Sequence, residues 1–262
     1  MYPDRLFEIT ISGRVYGPTL YGIMIAVGLL CAISVLYLYG KKLDFSMSLL
    51  DFLFYDGIAS IAIGFGFGML FQAFYNYLED PSMPFSEYIG SGMTFIGGFI
   101  GGAVIFLVIY FIGRRFIKGR LMDALSTIPC CILIGHAFGR VGCFFANCCY
   151  GRPTDSFLGV KFPDLPVKVH PTQLYEAAFL FALFGLCSYL LLKKNFRHNL
   201  SLYFVCYGIF RFLIEYLRDD ERGALVGGIS PSQFWSILMV VTGIILFFVL
   251  ERFFPVKKAE DK

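Results

Sequence analysis

The stretch Pro171–Leu192, PTQLYEAAFLFALFGLCSYLLL, is apolar except for one charged residue, Glu176. A helix of about 20 residues crosses the roughly 30 Å of hydrocarbon in a bilayer. The stretch is therefore predicted to be a transmembrane helix. A charged side chain in the middle of a membrane costs about 2.5–3.5 kcal/mol on insertion scales, so such residues are rare and usually functional. Glu176 is accordingly a first candidate for a functional site.

Six further apolar runs lie on both sides of this stretch. They are Pro18–Tyr39, Leu53–Tyr77, Met93–Ile112, the interrupted run Met122–Tyr150, Leu200–Leu217 and Gln233–Phe253. Of the 262 residues, 57% are hydrophobic and only 16% are charged, which excludes an ordinary soluble domain. We predict an all-α integral membrane protein with seven transmembrane helices, spans 1 to 7 in chain order, in a single domain of residues 1–262. The first run lacks a cleavage site and is predicted to be a retained span.

The distribution of Lys and Arg between the spans indicates an orientation, because cytoplasmic loops are enriched in these residues. One set of alternate loops holds Lys41, Lys42, Arg114, Arg115, Lys118, Arg120, Lys193, Lys194, Arg197, Arg252, Lys257, Lys258 and Lys262. The other set holds only Arg5, Arg14, Arg152, Lys161, Lys168, Arg218 and Arg222. The richer set is predicted to be cytoplasmic, which places the N-terminus outside and the C-terminus inside. The net charge of +3 reflects these loops and indicates no nucleic-acid partner.

Four charged residues lie inside the predicted spans, namely Arg140, Glu176, Arg211 and Glu215. In this orientation Arg140 lies past the middle of span 4, which runs outward, and Glu176 lies near the outer start of span 5. Arg211 and Glu215 lie in the outer half of span 6. Residues far apart in sequence thus share one depth, which predicts a polar site open towards the outer face.

Arg211, Glu215 and Arg218 are spaced i, i+4 and i+7, so they would share one face of a helix. Glu215, between two arginines, is predicted to position them rather than to act as a base. The planar fork of arginine binds phosphate in a bidentate manner and stays charged. Arg140 and Arg211 are therefore predicted to hold one anionic lipid headgroup. The alternative is a buried ion pair that locks span 6 to a neighbouring span.

His136, Arg140, Cys143 and Asn147 form a second stripe, spaced 4, 3 and 4 residues apart in span 4. A neutral imidazole can accept a proton from a thiol, which makes His136 a candidate base. The alternative is a hydrogen-bonded packing role. The outer part of this span contains three glycines, Gly135, Gly139 and Gly142. It is predicted to be bent or irregular, which is tolerated where backbone lines a cavity.

Four further candidates lie near the predicted outer ends of spans, and they are Tyr21, Gly98, Gln173 and Tyr175. Gln173 and Tyr175 can hydrogen-bond at the membrane interface, although an aromatic anchor explains Tyr175 equally well. Gly98 belongs to a run with GxxxG spacing, which favours close helix packing. The alternative for Gly98 is that its backbone approaches a lipid headgroup.

The chain has eight cysteines, of which Cys148 and Cys149 are adjacent. With Cys143, His136 and His170 they would make a metal or redox site. Adjacent cysteines bridge each other badly, however, and the spacing is not that of a zinc ribbon. No metal and no soluble cofactor is therefore predicted.

Five motifs occur in order along nearly the whole chain. They are Leu20-Tyr21-Gly22, GMTFIGG at Gly92–Gly98, GRVGCFFANCCYGR at Gly139–Arg152, HPTQLYE at His170–Glu176 and RFLIEYLR at Arg211–Arg218. Together they resemble motifs of the prolipoprotein diacylglyceryl transferases. The resemblance implies a multi-pass protein of the bacterial plasma membrane with seven spans and an outer N-terminus.

The resemblance further implies an activity. The diacylglyceryl group of phosphatidylglycerol would pass to the thiol of a lipobox cysteine in the signal-peptide region of a preprolipoprotein, and glycerol-1-phosphate would leave. Membrane lipids are then further partners. The predicted catalytic residues are Arg140, Arg211, His136 and Glu215. The residues predicted to bind substrate are Tyr21, Gly98, Cys143, Asn147, Gly151, Gln173, Tyr175, Glu176 and Arg218.

The sequence departs from the family pattern at several positions. Where the family has His, Asn, Asn and Glu, this chain has Ile96, Cys143, Ala146 and Cys148. The phosphate-facing residues resemble the family, whereas the base and the polar residues that orient the acceptor do not. His136 is the candidate replacement for the missing His.

Three alternatives to this activity stay open at the level of the sequence. The first is a transferase of the same fold that passes a lipid moiety to another acceptor. The second is a protein that binds or transports an anionic lipid without chemistry. The third is a thiol redox protein built on Cys143, Cys148 and Cys149.

Overall fold

The structure is a computed structural model that describes residues 6, 7, 9–11, 14–218 and 229–253. Its α-helices are α1 (Leu20–Lys42), α2 (Met47–Glu79), α3 (Phe85–Tyr88), α4 (Phe95–Gly113), α5 (Leu121–Ala124), α6 (Ile128–Phe145), α7 (Thr172–Lys194), α8 (Asn199–Ile214) and α9 (Pro231–Phe253). Short 3-10 helices follow α4 at Arg114–Phe116 and α8 at Glu215–Leu217. Strands β1 (Ile9–Ile11) and β2 (Arg14–Tyr16) pair antiparallel. Basic residues outside the described parts are Arg5, Arg222, Lys257, Lys258 and Lys262.

Within the described residues, seven helices are long and apolar enough to cross a membrane, namely α1, α2, α4, α6, α7, α8 and α9. The predicted all-α fold with seven spans is therefore confirmed. The largest shifts in a helix start, six residues each, concern α2, which begins at Met47 rather than Leu53, and α6, which begins at Ile128 rather than Met122. Ser46 caps α2, because its side-chain oxygen accepts a 3.2 Å hydrogen bond from the Leu49 N–H. The cap lets α2 begin six residues before the predicted span, in a stretch that is more polar than the span itself.

The chain divides into two compact units, and one of them is Gly40–Asp123. In this unit α2 and α4 approach each other through glycines. A Cβ added at Gly98 would lie 3.2 Å from the Gly64 carbonyl oxygen, and one added at Gly64 would lie 2.8 Å from the Gly98 carbonyl oxygen. Close helix packing, the favoured interpretation of the GxxxG run, is thus confirmed. Gly98 lies in this helix interface, whereas the side chain of Ile96 is not among those the structure describes.

The other unit consists of Met1–Tyr39 and Ala124–Lys262. Here α6 packs on α7 and α8, and α8 packs on α9. Glycines on α6 also admit α1, since a Cβ at Gly142 would lie 3.1 Å from the Tyr21 ring. The outer part of span 4 was predicted to be bent or irregular, and α6 is helical through its three glycines to Phe145, where the glycines serve helix contact. The irregular backbone that was also predicted begins only after Phe145.

An irregular connection between α6 and α7 is anchored to the ends of the neighbouring helices. Gly151 forms an antiparallel bridge with Arg218, which follows α8. The ring of Phe162 is fully buried, and its centroid lies 5.6 Å from that of Phe144. Since Phe144 is in the last turn of α6, the connection folds back over the helix end. The ends of α6 and α8 and the start of α7 are thereby held together.

Candidate active site

Glu176, one helical turn after the start of α7, lies in the interior of the helix bundle, where its side chain is fully buried. Arg140 of α6 forms an ion pair with this carboxylate, with Nη2 2.7 Å from Glu176 Oε2. The Tyr207 hydroxyl of α8 donates a 2.7 Å hydrogen bond to Glu176 Oε1. One carboxylate therefore joins three spans, and its charge is compensated in the low-dielectric interior.

His136 lies one helical turn before Arg140 and belongs to the same group of side chains. Its Nε2 atom is 3.6 Å from Glu176 Oε1, and its ring meets the Tyr207 ring edge-on with centroids 5.2 Å apart. The positive charge of Arg211 also acts on both Glu176 and His136. Arg211, on a different span from Arg140, is thus within electrostatic range of the Glu176 cluster.

The end of α8 and the start of α9 hold Arg211 in a fixed orientation. Arg211 Nη1 donates a 2.7 Å hydrogen bond to Glu215 Oε2, and Nη2 donates a 3.0 Å hydrogen bond to Ser232 Oγ. The Ser230 hydroxyl in turn donates to Glu215 Oε1 at 2.8 Å. Glu215 therefore contacts the guanidinium that it was predicted to position, and the two serines of the next span complete the arrangement.

The predicted helical stripe of Arg211, Glu215 and Arg218 is wrong at its last member. The α-helix ends at Ile214, Glu215 opens a 3-10 helix, and Arg218 has extended backbone with φ −87° and ψ 151°. Arg218 is instead tied to the connection after α6, because its carbonyl oxygen accepts a 3.2 Å hydrogen bond from Arg152 Nε. The helix α8 cannot continue through Arg218, because its pairing with the connection after α6 requires extended backbone at this residue.

The second predicted stripe also ends early. His136, Arg140 and Cys143 lie on α6, but Asn147 follows the helix and has a left-handed backbone with φ 54°. Its side-chain amide atoms are buried and make no hydrogen bond within the described part of the chain. The prediction that Asn147 continues the helical face is therefore wrong, since the chain turns sharply at this residue.

Two side chains at the start of α7 hydrogen-bond to the backbone just after Asn147 and so fix the sharp turn there. Gln173 Nε2 donates a 2.5 Å hydrogen bond to the Cys148 carbonyl oxygen, and Thr172 Oγ1 donates a 2.8 Å hydrogen bond to that of Cys149. Both side chains are fully buried. Gln173, predicted to bind substrate, thus has a structural partner in the backbone after α6.

Three thiols meet at this turn. The Sγ atoms of Cys143, Cys148 and Cys149 all lie within 4.8 Å of one another, and each residue is half-buried. Arg140 Nη1 approaches Cys143 Sγ at 4.0 Å. The guanidinium of Arg218 acts on the Cys149 thiol through its charge and through a hydrogen bond. The cysteines that the sequence singled out therefore form one cluster between two arginines.

The other predicted residues lie around this cluster. Tyr21, at the start of α1, is 40% exposed and within electrostatic reach of the three thiols. Gly151 has no room for a side chain, because a Cβ there would lie 2.8 Å from Thr172 Cγ2. Tyr175 contacts His170 instead, with its hydroxyl 3.3 Å from His170 Nδ1. The position of Tyr175 fits an anchoring role at the start of α7.

A sequence model described as prolipoprotein diacylglyceryl transferase matches residues 11–249 of the chain. The chain belongs to the prolipoprotein diacylglyceryl transferase family. The enzyme named phosphatidylglycerol–prolipoprotein diacylglyceryl transferase in Clostridium tetani (strain Massachusetts / E88) is 34% identical over 251 residues, which cover 92% of this chain and 95% of the relative. The one numbered 2 in Clostridium perfringens (strain 13 / Type A) is 31% identical over 248 residues, 90% of this chain and 93% of the relative. The enzyme of the same name in Aeromonas salmonicida (strain A449) is 33% identical over 242 residues, which cover 86% of this chain and 83% of the relative.

The resemblance to diacylglyceryl transferases is thereby confirmed over nearly the whole chain. The structure adds residues to the site of this transferase that the sequence did not single out, and they are Thr172, Tyr207, Ser230 and Ser232. Tyr207 and the two serines give no motif signal, because Tyr, like Ser, is common near the ends of spans. Their partners are charged residues inside spans, and a search for polar residues at the same depth would have found them.

Proposed function

We propose that this protein transfers the diacylglyceryl group of phosphatidylglycerol to the thiol of a lipobox cysteine in a prolipoprotein. The observation that carries the proposal is the buried cluster of Arg140, Glu176 and Tyr207, on which the charge of Arg211 also acts. Arg140 lies in this cluster and Arg211 lies within electrostatic range of it, in a chain whose relatives bear the name of this activity. The reaction releases a phosphate monoester, and arginine is well suited to bind that group.

Within this proposal, the two arginines act on the leaving group. Negative charge develops on the phosphate as the bond between carbon and oxygen breaks, and preoriented cations stabilise that charge. Glu176 holds the Arg140 fork, while Glu215 and Ser232 hold that of Arg211. A guanidinium group that is already held in place needs no reorganisation during the reaction. The residues that hold the two arginines therefore contribute to catalysis by positioning them.

The remaining candidates would receive the acceptor and the lipid. The acceptor thiol has to lose its proton before it attacks. We propose His136 as the base, and Tyr21, Cys143, Asn147, Gly151, Gln173, Tyr175, Glu176 and Arg218 as residues that bind substrate or shape its site. Tyr21 is half exposed and lies near Arg140, so it is suited to contact a lipid that enters from the membrane.

We place the protein in the bacterial plasma membrane, with the N-terminus outside and residues 1–262 acting as one catalytic domain. The excess of Lys and Arg in alternate loops supports this orientation. The end of α6, the start of α7 and the end of α8 would then face the outer leaflet. Preprolipoproteins would present the lipobox cysteine on this side after export.

The proposed function is tested by reconstituting the purified protein with phosphatidylglycerol and a lipobox peptide. Mass spectrometry should detect a diacylglyceryl thioether on the cysteine, together with released glycerol-1-phosphate. A peptide with serine in place of cysteine should give no product. Binding of phosphatidylglycerol without any thioether would instead support transfer to another acceptor or lipid transport without chemistry.

His136→Gln is expected to lower kcat/KM about 100-fold, the ordinary contribution of a positioned base. It should also remove the part of the pH–rate profile in which the rate rises with pH, because that rise reports a base losing its proton. His198→Gln is the matched control, since this imidazole contacts Glu251 at the other end of α8. If His136→Gln keeps the pH profile of the unmodified protein, His136 is a packing residue and the base lies elsewhere.

A further inference from the structure

The three thiols of Cys143, Cys148 and Cys149, at and just after the C-terminal end of α6, lie close enough together for a metal site. In a tetrahedral zinc site with bonds of about 2.3 Å to sulfur, two sulfur ligands lie about 3.8 Å apart. The Sγ atoms of Cys143, Cys148 and Cys149 already lie within 4.8 Å of one another. Small side-chain rotations therefore suffice to place all three sulfurs around one ion.

The backbone that presents these thiols is held in an unfavourable conformation. Cys149 has a φ of 65°, a left-handed backbone that costs free energy in a cysteine, and Asn147, two residues earlier, has a φ of 54°. The turn persists because it is fixed from both sides. The Cys148 N–H donates a 3.2 Å hydrogen bond to the Cys143 carbonyl oxygen. Gln173 and Thr172 donate hydrogen bonds to the carbonyl oxygens of Cys148 and Cys149, respectively. The cluster is thus preorganised before any ligand binds.

The electrostatic surroundings suit a cation with anionic ligands. The cluster lies at the C-terminal end of α6, next to two arginines. Three thiolates around a divalent ion leave one net negative charge. Arg140, at 4.0 Å from Cys143 Sγ, and Arg218, beside Cys149, offset that charge from two sides.

We propose that Cys143, Cys148 and Cys149 bind a zinc ion, and that the acceptor thiol of the lipobox cysteine occupies its fourth coordination position. Thiolate ligands select zinc and other soft ions, and three protein ligands with one open position are typical of catalytic zinc. Among the described residues, no other His, Cys, Asp or Glu belongs to this group. The identity of the fourth ligand rests on the proposed function, whereas the three-cysteine site does not.

The proposal gives the acceptor thiol a route to its reactive form. A thiol that coordinates zinc loses its proton more readily, and His136, the base of the proposed function, would accept that proton. The zinc-bound thiolate then uses an electron pair on sulfur to form the new bond to the glyceryl carbon. The bond between that carbon and the phosphate oxygen breaks, and its electron pair leaves with glycerol-1-phosphate. No electron is gained or lost overall, and zinc returns to its three protein ligands after product release.

The access to this site fits an external ligand. All three cysteines are half-buried rather than enclosed, and the adjacent Tyr21 is 40% exposed. Arg140 links the three cysteines to Glu176, since it contacts both Cys143 and Glu176. A thiolate on zinc and a phosphate near the arginines would therefore lie next to each other.

The metal content of the protein tests the three-cysteine site without any turnover. Protein purified without chelators should contain about one zinc per chain, the stoichiometry of a single site. Cys143→Ser and Cys149→Asn should each lose most of it, and Asn is chosen because it tolerates a left-handed backbone. Cys206→Ser, a thiol elsewhere on α8, is the matched control and should keep its zinc. Size-exclusion profiles in detergent report whether each variant is folded.

A cobalt(II)-substituted protein tests the fourth position. The absorbance of thiolate-to-cobalt charge transfer scales with the number of coordinated thiolates, so a lipobox peptide should raise it by about one third, from three to four ligands. A peptide with serine in place of cysteine should leave it unchanged. This measurement needs neither phosphatidylglycerol nor product formation.

The outcomes separate the inference from the proposed function. Unmodified protein that binds neither zinc nor cobalt overturns the site, as does a disulfide between two of the cysteines in the protein as purified. A spectrum that the cysteine peptide does not change overturns the fourth ligand. A changed spectrum without thioether formation in the reconstituted membrane supports the inference and contradicts the proposed function.

Discussion

Glu176→Gln is expected to destabilise the protein by about 3–5 kcal/mol and to abolish measurable diacylglyceryl transfer, because it leaves Arg140 buried without its counter-ion. The Glu176 side chain is fully buried, and its carboxylate lies 2.7 Å from Arg140 Nη2. Gln keeps the shape of the side chain and a partner for the Tyr207 hydroxyl, so the change isolates the charge. Thermal unfolding in detergent and thioether formation by mass spectrometry measure the two effects.

A double variant separates stability from activity at this pair. Arg140→Gln combined with Glu176→Gln removes both charges and should recover much of the lost stability, while transfer stays absent because the phosphate ligand is gone. Glu251→Gln is the matched control, since this carboxylate pairs with His198 at 3.2 Å but is 61% exposed. It should change stability by about 1 kcal/mol or less. A double variant no more stable than Glu176→Gln would contradict the buried-pair interpretation.

The spans could be predicted from sequence because each is a continuous apolar segment that must satisfy its own backbone hydrogen bonds in a membrane. Pro171–Leu192 was within two residues of α7 at both ends. Helix starts set by capping were less accurate, as Ser46 at α2 shows. Hydropathy reports where a helix is apolar, whereas a cap depends on one local hydrogen bond.

The connection between α6 and α7 could not be predicted in this way. Its conformation depends on contacts between distant residues, such as the bridge of Gly151 with Arg218 and the packing of Phe162 on Phe144. Local sequence carries no signal for such pairs. The same connection ends both predicted helical stripes, so Asn147 and Arg218 were placed on helical faces that do not extend to them.

The candidate site, too, could be predicted only in part from the sequence. Charges inside spans are rare, so Arg140, Glu176, Arg211 and Glu215 could be identified without a structure. Their pairing could not, because helix rotation decides that Arg140 faces Glu176 while Arg211 faces Glu215. Tyr207 was missed for the same reason, since a tyrosine in an apolar span gives no sign of its hydrogen-bond partner.

Arg211→Ala is expected to reduce kcat about 100- to 1,000-fold, the usual loss when one preoriented group that stabilises developing negative charge is removed. Arg211 is 9% exposed, and its two hydrogen bonds to Glu215 and Ser232 aim the guanidinium from α8 and α9. Arg211→Lys should recover only part of the activity, because an ammonium group cannot bind phosphate in a bidentate manner. Initial rates of glycerol-1-phosphate release measure the effect.

The neighbours of Arg211 distinguish positioning from chemistry. Glu215→Gln keeps one acceptor oxygen for Arg211 Nη1, while its amide nitrogen would donate to the Ser230 hydroxyl, so it should reduce kcat less than Arg211→Ala does. Ser232→Ala removes one hydrogen bond of about 1 kcal/mol and should reduce kcat less than about tenfold. Arg114→Ala, which removes an arginine that packs on the Phe111 ring, serves as the control for loss of an arginine as such. If Glu215→Gln stops turnover while phosphatidylglycerol still binds, Glu215 takes part in proton transfer and does not merely hold the guanidinium.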